Sequence, residues 1–357
     1  DNETQTTPGA PYLANGIVKT ARDLEAWNPD YNLHTNSIYA ASSWTWAEVV
    51  ADWDALAAAA PDYVTRVTLV AADEAGYPLY AYKFEPAPII ADPADIDLDV
   101  FALPRFFATA DHGTENPNMV GMRLFAESLI HHWQTDERLA ALRWGARFVF
   151  IPHSNPYGVE NNTKLNFDGY DPNDDGIDSD LSTQDPGPDG FNTIAATMLY
   201  NCMRPVGSQI TGNCSFTPMS ETFDDSIMAV CHHNGAGNDG VDGTLTGIDY
   251  ALWMASCNPA MLPIMNEHGA HMKQWMLRET TPTASKLQNE RMVYITSGGF
   301  GSVHRGFSMP ESHTGGPGFT ALGKRAMLLE SVGTGSPWIN DTAAARKYTV
   351  ENYTNLY

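Results

Sequence analysis

Apolar positions recur along this chain in two rhythms. Over 103–110 (Leu-Pro-Arg-Phe-Phe-Ala-Thr-Ala) and 148–151 (Phe-Val-Phe-Ile) they run nearly unbroken and then stop at turn-forming residues. That pattern predicts short strands buried on both faces. A third apolar run ends at Cys231-His232-His233, and a fourth spans 326–330. Over 119–133 the apolar residues return at helical spacing, which predicts a helix directly after the first run. Trp44, Trp46 and Trp53 lie in a stretch that reads as the first amphipathic helix, with its rings in the core. Strand-like runs that alternate with longer helical patterns predict an α/β fold. Residues 1–37 differ: they are polar, contain Pro, Asn and Gly, and show little periodicity. The expected organisation is an N-terminal arm, 1–37, that docks to a partner or another subunit, and one domain over 38–357. No stretch of 18 apolar residues is present, so membrane insertion is not expected.

Composition narrows the partners. Acidic residues outnumber basic ones 43 to 20, for a net charge of −23. Nucleic acid and anionic membrane surfaces would both repel such a chain. The charge suits an extracellular or surface-associated protein, secreted or carried on a virion. Two of the four cysteines, Cys202 and Cys214, flank a loop with Pro205, Gly207 and Gly212. They are either bridged or two thiols. Cys231 reads as a small apolar residue.

Candidate chemistry begins at His112-Gly113-Thr114-Glu115, between the first strand-like run and the helix that follows. A histidine and a carboxylate three apart can face one cation if the backbone turns between them. A distant histidine, His232 or His233, would complete three ligands and leave a fourth position open, which is the logic of a catalytic zinc. A strand end that leads into a helix is a common ligand position in open α/β sheets. Further along come Asn155-Pro156-Tyr157-Gly158, then Gly169-Tyr170-Asp171-Pro172-Asn173, then the run ending in His232-His233, and finally Ala326-Met-Leu-Leu-Glu330.

This order of motifs, over about residues 40–340, resembles the M14 zinc carboxypeptidases. The resemblance implies a mostly parallel, mixed, twisted sheet with helices on both faces. It implies zinc held by His112, Glu115 and His232, hydrolysis of an amide bond in a peptide or peptide-like substrate, and Glu330 as general base. In that family an arginine before the asparagine polarises the scissile carbonyl; Lys164 occupies its place here and is the candidate to steady the oxyanion. Asn173 matches the family's substrate-binding asparagine. Asp174, however, stands where an arginine would grip the substrate's terminal carboxylate. A bidentate guanidinium suits that task and a carboxylate opposes it. The family's catalytic tyrosine also lacks a counterpart, since no tyrosine lies between Tyr294 and Glu330. His304 and His313, on a Gly-rich loop, are the nearer proton donors, and Arg204 or Arg305 are alternative sources of a clamp.

The expected function is therefore a zinc-dependent amide hydrolase with an altered carboxylate clamp. An amidase or deacylase acting on a cell-wall or other non-standard peptide is the alternative within this class. A catalytically inactive binding or structural module on a virion or cell surface is the alternative outside it. Asp171, Asn173 and Asp175 also begin a D-x-N-x-D-G pattern, whose alternating oxygen donors suit calcium. The twelfth position of that pattern is Ser182 rather than the closing glutamate. Asn173 thus has two competing readings, substrate contact and calcium ligand.

Overall fold

The computed structural model describes residues 44–86, 103–134, 136–170, 172, 191–233, 249–253, 267, 325–332, 354 and 357; for 116–118, 233, 249–253 and 325–332 it describes the backbone. The proposed arm, the calcium pattern at Asp171, Asn173 and Asp175, and Asp174, His304, Arg305 and His313 lie outside these residues.

Seven strands among the described residues form one sheet: β1 (Val64–Val70), β2 (Leu79–Phe84), β3 (Arg105–Ala110), β4 (Arg147–Ile151), β5 (Ser226–His233), β6 (Asp249–Trp253) and β7 (Arg325–Val332). Their spatial order is β1-β2-β4-β3-β5-β7-β6. The central four, β4, β3, β5 and β7, are mutually parallel. Strands β2 and β6 run against their neighbours, so the sheet is mixed and mostly parallel, as expected. The helices are α1 (Trp46–Ala59), α2 (Asn116–His131), α3 (Glu137–Gly145), α4 (Pro156–Asn161) and α5 (Ile194–Cys202).

The pleat sorts side chains onto two cores. Phe148 and Phe150 pack on the face covered by α1 and α2, with Trp53, Phe125 and Leu129. Val149 and Ile151 point the other way, toward Met198 and Leu199 of α5. Helices thus cover both faces, and this is why the central strands read as unbroken apolar runs. Trp44, Trp46 and Trp53 are all buried, as the amphipathic reading requires. Helix α1 starts at a capping box, Thr45 with Glu48. It is tied to α2 by Arg123, which contacts Asp52 at 2.6 Å and Glu127 at 2.9 Å. At the amino ends of β3 and β4, Arg105 and Arg147 both donate to Asp225. The charge network that holds the sheet therefore sits at the end opposite the candidate chemistry.

Three sequence expectations shift. The first strand starts at Arg105 rather than 103, after Pro104, which has no N–H for a ladder. The helix after it begins earlier, at Asn116, with proline in its first turn. Cys202 and Cys214 are both thiols, not a bridge: Cys202 lies on Met198 Sδ and Cys214 on Thr197 Oγ1.

Candidate metal centre

Topology places the site. From β3 the chain passes through α2 and α3 to β4 on one side, then through α4 and α5 to β5 on the other. The winding direction reverses at β3, and a crevice opens beyond the carboxyl ends of the strands at such a point. His112 lies two residues past the end of β3, and His232 pairs in register with Ala110 on the neighbouring β5.

The turn required by the His-x-x-Glu spacing is present. The Glu115 N–H donates to the His112 carbonyl at 2.9 Å. Glu115 is the N-cap of α2, yet its side chain makes no capping bond. It turns to His112 instead, with Oε1 2.7 Å from Nδ1. His112 is almost fully buried and Glu115 is mostly so. Asp111, which is fully buried, joins them: a carboxylate oxygen of Asp111, a ring nitrogen of His112 and a carboxylate oxygen of Glu115 all lie within 4.8 Å of one another. Among the described residues this trio is the group suited to a metal ion.

Two glycines explain how the motif closes. A Cβ on Gly113 would fall 1.9 Å from the carbonyl carbon of Gly158. The His-Gly-Thr-Glu turn and the first turn of α4 therefore touch backbone to backbone. Asn155 N-caps α4 by accepting from the Gly158 N–H at 2.8 Å, and Pro156 fills the first turn. The Asn155 side-chain amide also donates to the Lys164 carbonyl at 3.3 Å, which anchors the following loop. The Ser154 N–H donates to the Ala110 carbonyl at 2.7 Å and so ties the ends of β3 and β4 together. The two short motifs, whose touching glycines are 45 residues apart, are one structural unit.

His232 is fully buried, and its Nε2 lies 3.4 Å from the Tyr357 hydroxyl. Tyr357 is wedged among Phe106, Phe125 and Phe148. Burial pushes its phenol well above the ordinary range, so it stays protonated near neutral pH. When His232 donates its Nε2–H to the phenol oxygen, Nδ1 keeps its lone pair for a cation. His232 is not among the three atoms grouped around His112. His233 and Glu330 are in-register partners on β5 and β7. The apolar run over 326–330 predicts Glu330 at the end of a strand. It lies inside β7 instead, paired also with Ala251 of β6, because the ladder continues to Val332. Lys164 is partly exposed, beside the capped α4 turn. Arg204 is engaged locally, donating to the Ser208 carbonyl at 2.7 Å and the Tyr200 hydroxyl at 3.0 Å.

Sequence reasoning missed Asp111 and Tyr357. The first was legible as a carboxylate directly before the motif histidine. The second, far along the chain from the rest, carries no local signal.

No family model matches this chain, and no curated protein matches it in sequence. Solved structures do match. A metallo-carboxypeptidase from Burkholderia cenocepacia aligns at 12% identity and TM-score 0.54, over 87% of this chain and 68% of its own. Carboxypeptidase A from Helicoverpa armigera aligns at 12% identity and TM-score 0.57, over 94% and 77%. Thrombin activatable fibrinolysis inhibitor aligns at 14% identity and TM-score 0.52, over 94% and 79%. At such identities the likeness establishes the fold, and that fold is the metallocarboxypeptidase one.

Proposed function

We propose that this chain is a zinc-dependent hydrolase of amide bonds in peptides or peptide-like molecules, with an altered grip on the substrate's carboxylate. The observation that carries this reading is the closure of His112 and Glu115 on each other at the carboxyl end of β3, where the winding of a metallocarboxypeptidase fold reverses. The donor chemistry fits: imidazole nitrogen and carboxylate oxygen are zinc's ordinary protein ligands, and the atoms are already close. His112, Glu115 and His232 are the residues that would hold the ion. Bound there, zinc would supply Lewis acidity toward a carbonyl oxygen and acidify a water.

The chain's own residues supply the rest. Glu330 takes a proton from the attacking water and returns it to the leaving amine; its support is the in-register pairing with His233, one residue beyond His232. Lys164 offsets charge on the carbonyl oxygen. Asn173, Arg305 and His313 contact the substrate. Asp174 disfavours a free terminal carboxylate, which favours internal, amidated or otherwise non-standard peptide bonds. Arg204 is an unsuitable replacement clamp because its guanidinium is already committed to Ser208 and Tyr200. The acidic composition supports an extracellular or surface setting.

The test is elemental analysis and peptide hydrolysis on the same preparation. Native protein should carry one zinc and hydrolyse amidated peptides, and His112→Ala should lose both while keeping its circular dichroism spectrum. Full zinc occupancy in His112→Ala would exclude the site. Stoichiometric zinc with no hydrolysis of any peptide would favour a binding module instead.

A further inference from the structure

We infer that Asp111 is an additional ligand of the same ion, so that the centre is richer in carboxylates than the His-x-x-Glu motif and a strand histidine provide. This rests on the metal-binding reading above.

Asp111 directly follows β3, whose Ala108 and Ala110 face the aromatic core while Phe107 faces the opposite one. The Asp111 carboxylate is 0% exposed and so is held inside the fold beside the motif histidine. It lies within 4.8 Å of both a Glu115 carboxylate oxygen and a His112 ring nitrogen. A divalent cation set between them would engage all three donors. The geometry allows it: bonds of about 2.0–2.2 Å leave two ligands of one zinc at most about 4.4 Å apart, so shifts of tenths of an ångström close the trio on an ion. With His232 also bound, Asp111 raises the number of protein donors from three to four, and a water or substrate oxygen makes five. Oxygen-rich sets of higher coordination number suit manganese and cobalt as well as zinc. The site should therefore accept those ions more readily than a centre with two histidines and one carboxylate.

The experiment uses full-length protein stripped of metal by a chelator, with zinc and cobalt titrated into native protein and Asp111→Asn. The expected result is a zinc affinity at least tenfold weaker in Asp111→Asn, with the circular dichroism of the metal-free protein unchanged. The visible absorption of the cobalt form should also intensify, because loss of one ligand moves cobalt from five toward four coordination. A zinc affinity within threefold of native overturns the proposal. So does a weaker affinity with an unaltered cobalt spectrum, since Asp111 would then act only through its charge. Native protein that binds neither ion refutes the metal reading itself and this proposal with it. Native binding with an indifferent Asp111→Asn refutes the proposal alone. Should Asp111→Asn fail to fold, a crystal structure of zinc-loaded native protein decides: an Asp111 oxygen about 2.0–2.2 Å from the ion supports ligation, and one beyond about 3.5 Å overturns it.

Discussion

Replacing Gly113 with alanine adds one methyl group, and the structure says where it goes. The new Cβ would lie 1.9 Å from the Gly158 carbonyl carbon, 2.1 Å from its oxygen and 2.4 Å from the Val159 nitrogen. Ordinary contact begins near 3.4 Å, so the two backbones must part by about 1.5 Å. Neither side yields easily. The α4 turn is capped by Asn155, Ser154 is bonded to the end of β3, and Gly113 lies next to His112 in a bonded turn. Overpacking against side chains costs about 1–3 kcal/mol. Here every obstructing atom is backbone, so about 3 kcal/mol or more is expected. For a chain of this size that lowers the melting temperature by roughly 4 °C or more. A shift of this kind also moves His112 and Glu115 beyond the roughly 0.5 Å tolerance of a metal site, so zinc affinity should fall on the order of tenfold or more. Differential scanning calorimetry and zinc titration against a competing chelator measure the two effects. Gly207→Ala is the control: its Cβ meets nothing within 4 Å, and it should melt within about 1 °C of native. A Gly113→Ala protein that melts within 1 °C of native and binds zinc within threefold would refute the claim that these glycines set the site.

Four further outcomes are expected. Arg123→Met should destabilise the fold by about 3–5 kcal/mol, because the buried carboxylates of Asp52 and Glu127 lose their shared guanidinium; thermal or denaturant unfolding reads this. Glu330→Gln should bind zinc normally yet lose roughly two to four decades of turnover on a peptide that the native protein cleaves, and near-native turnover would remove Glu330 from the chemistry. Asp174→Arg should shift preference from amidated toward free C-termini. One charge contact at about 4 Å and an effective dielectric near 20 is on the order of 4 kcal/mol before solvent relaxation, so the change in kcat/KM ratio should span decades. Calcium should raise the melting temperature of native protein but not of a variant carrying Asp171→Ala and Asp175→Ala; identical curves in calcium and chelator would leave 171–180 a solvated acidic loop.

The sequence alone determined what local physics can determine. Unbroken apolar runs announced β3 and β4, because a strand covered on both faces has no polar side to show. The helix after His112 was legible from spacing. The His112–Glu115 pair was legible because three residues and a turn suffice to bring them together. Tertiary structure decided whatever depends on distant partners. Gly113 and Gly158 are each unremarkable in isolation, and only the fold shows that they touch. Asp111 stands directly before His112 in the chain, but only the fold shows that its carboxylate is buried and lies close to that of Glu115. Tyr357 reaches His232 across 125 positions, a contact that no periodicity encodes. The cysteines looked close enough to bridge, yet α5 turns Cys202 into the core and leaves Cys214 beside Thr197. Chain separation constrains side-chain direction very little, and direction is what makes a site.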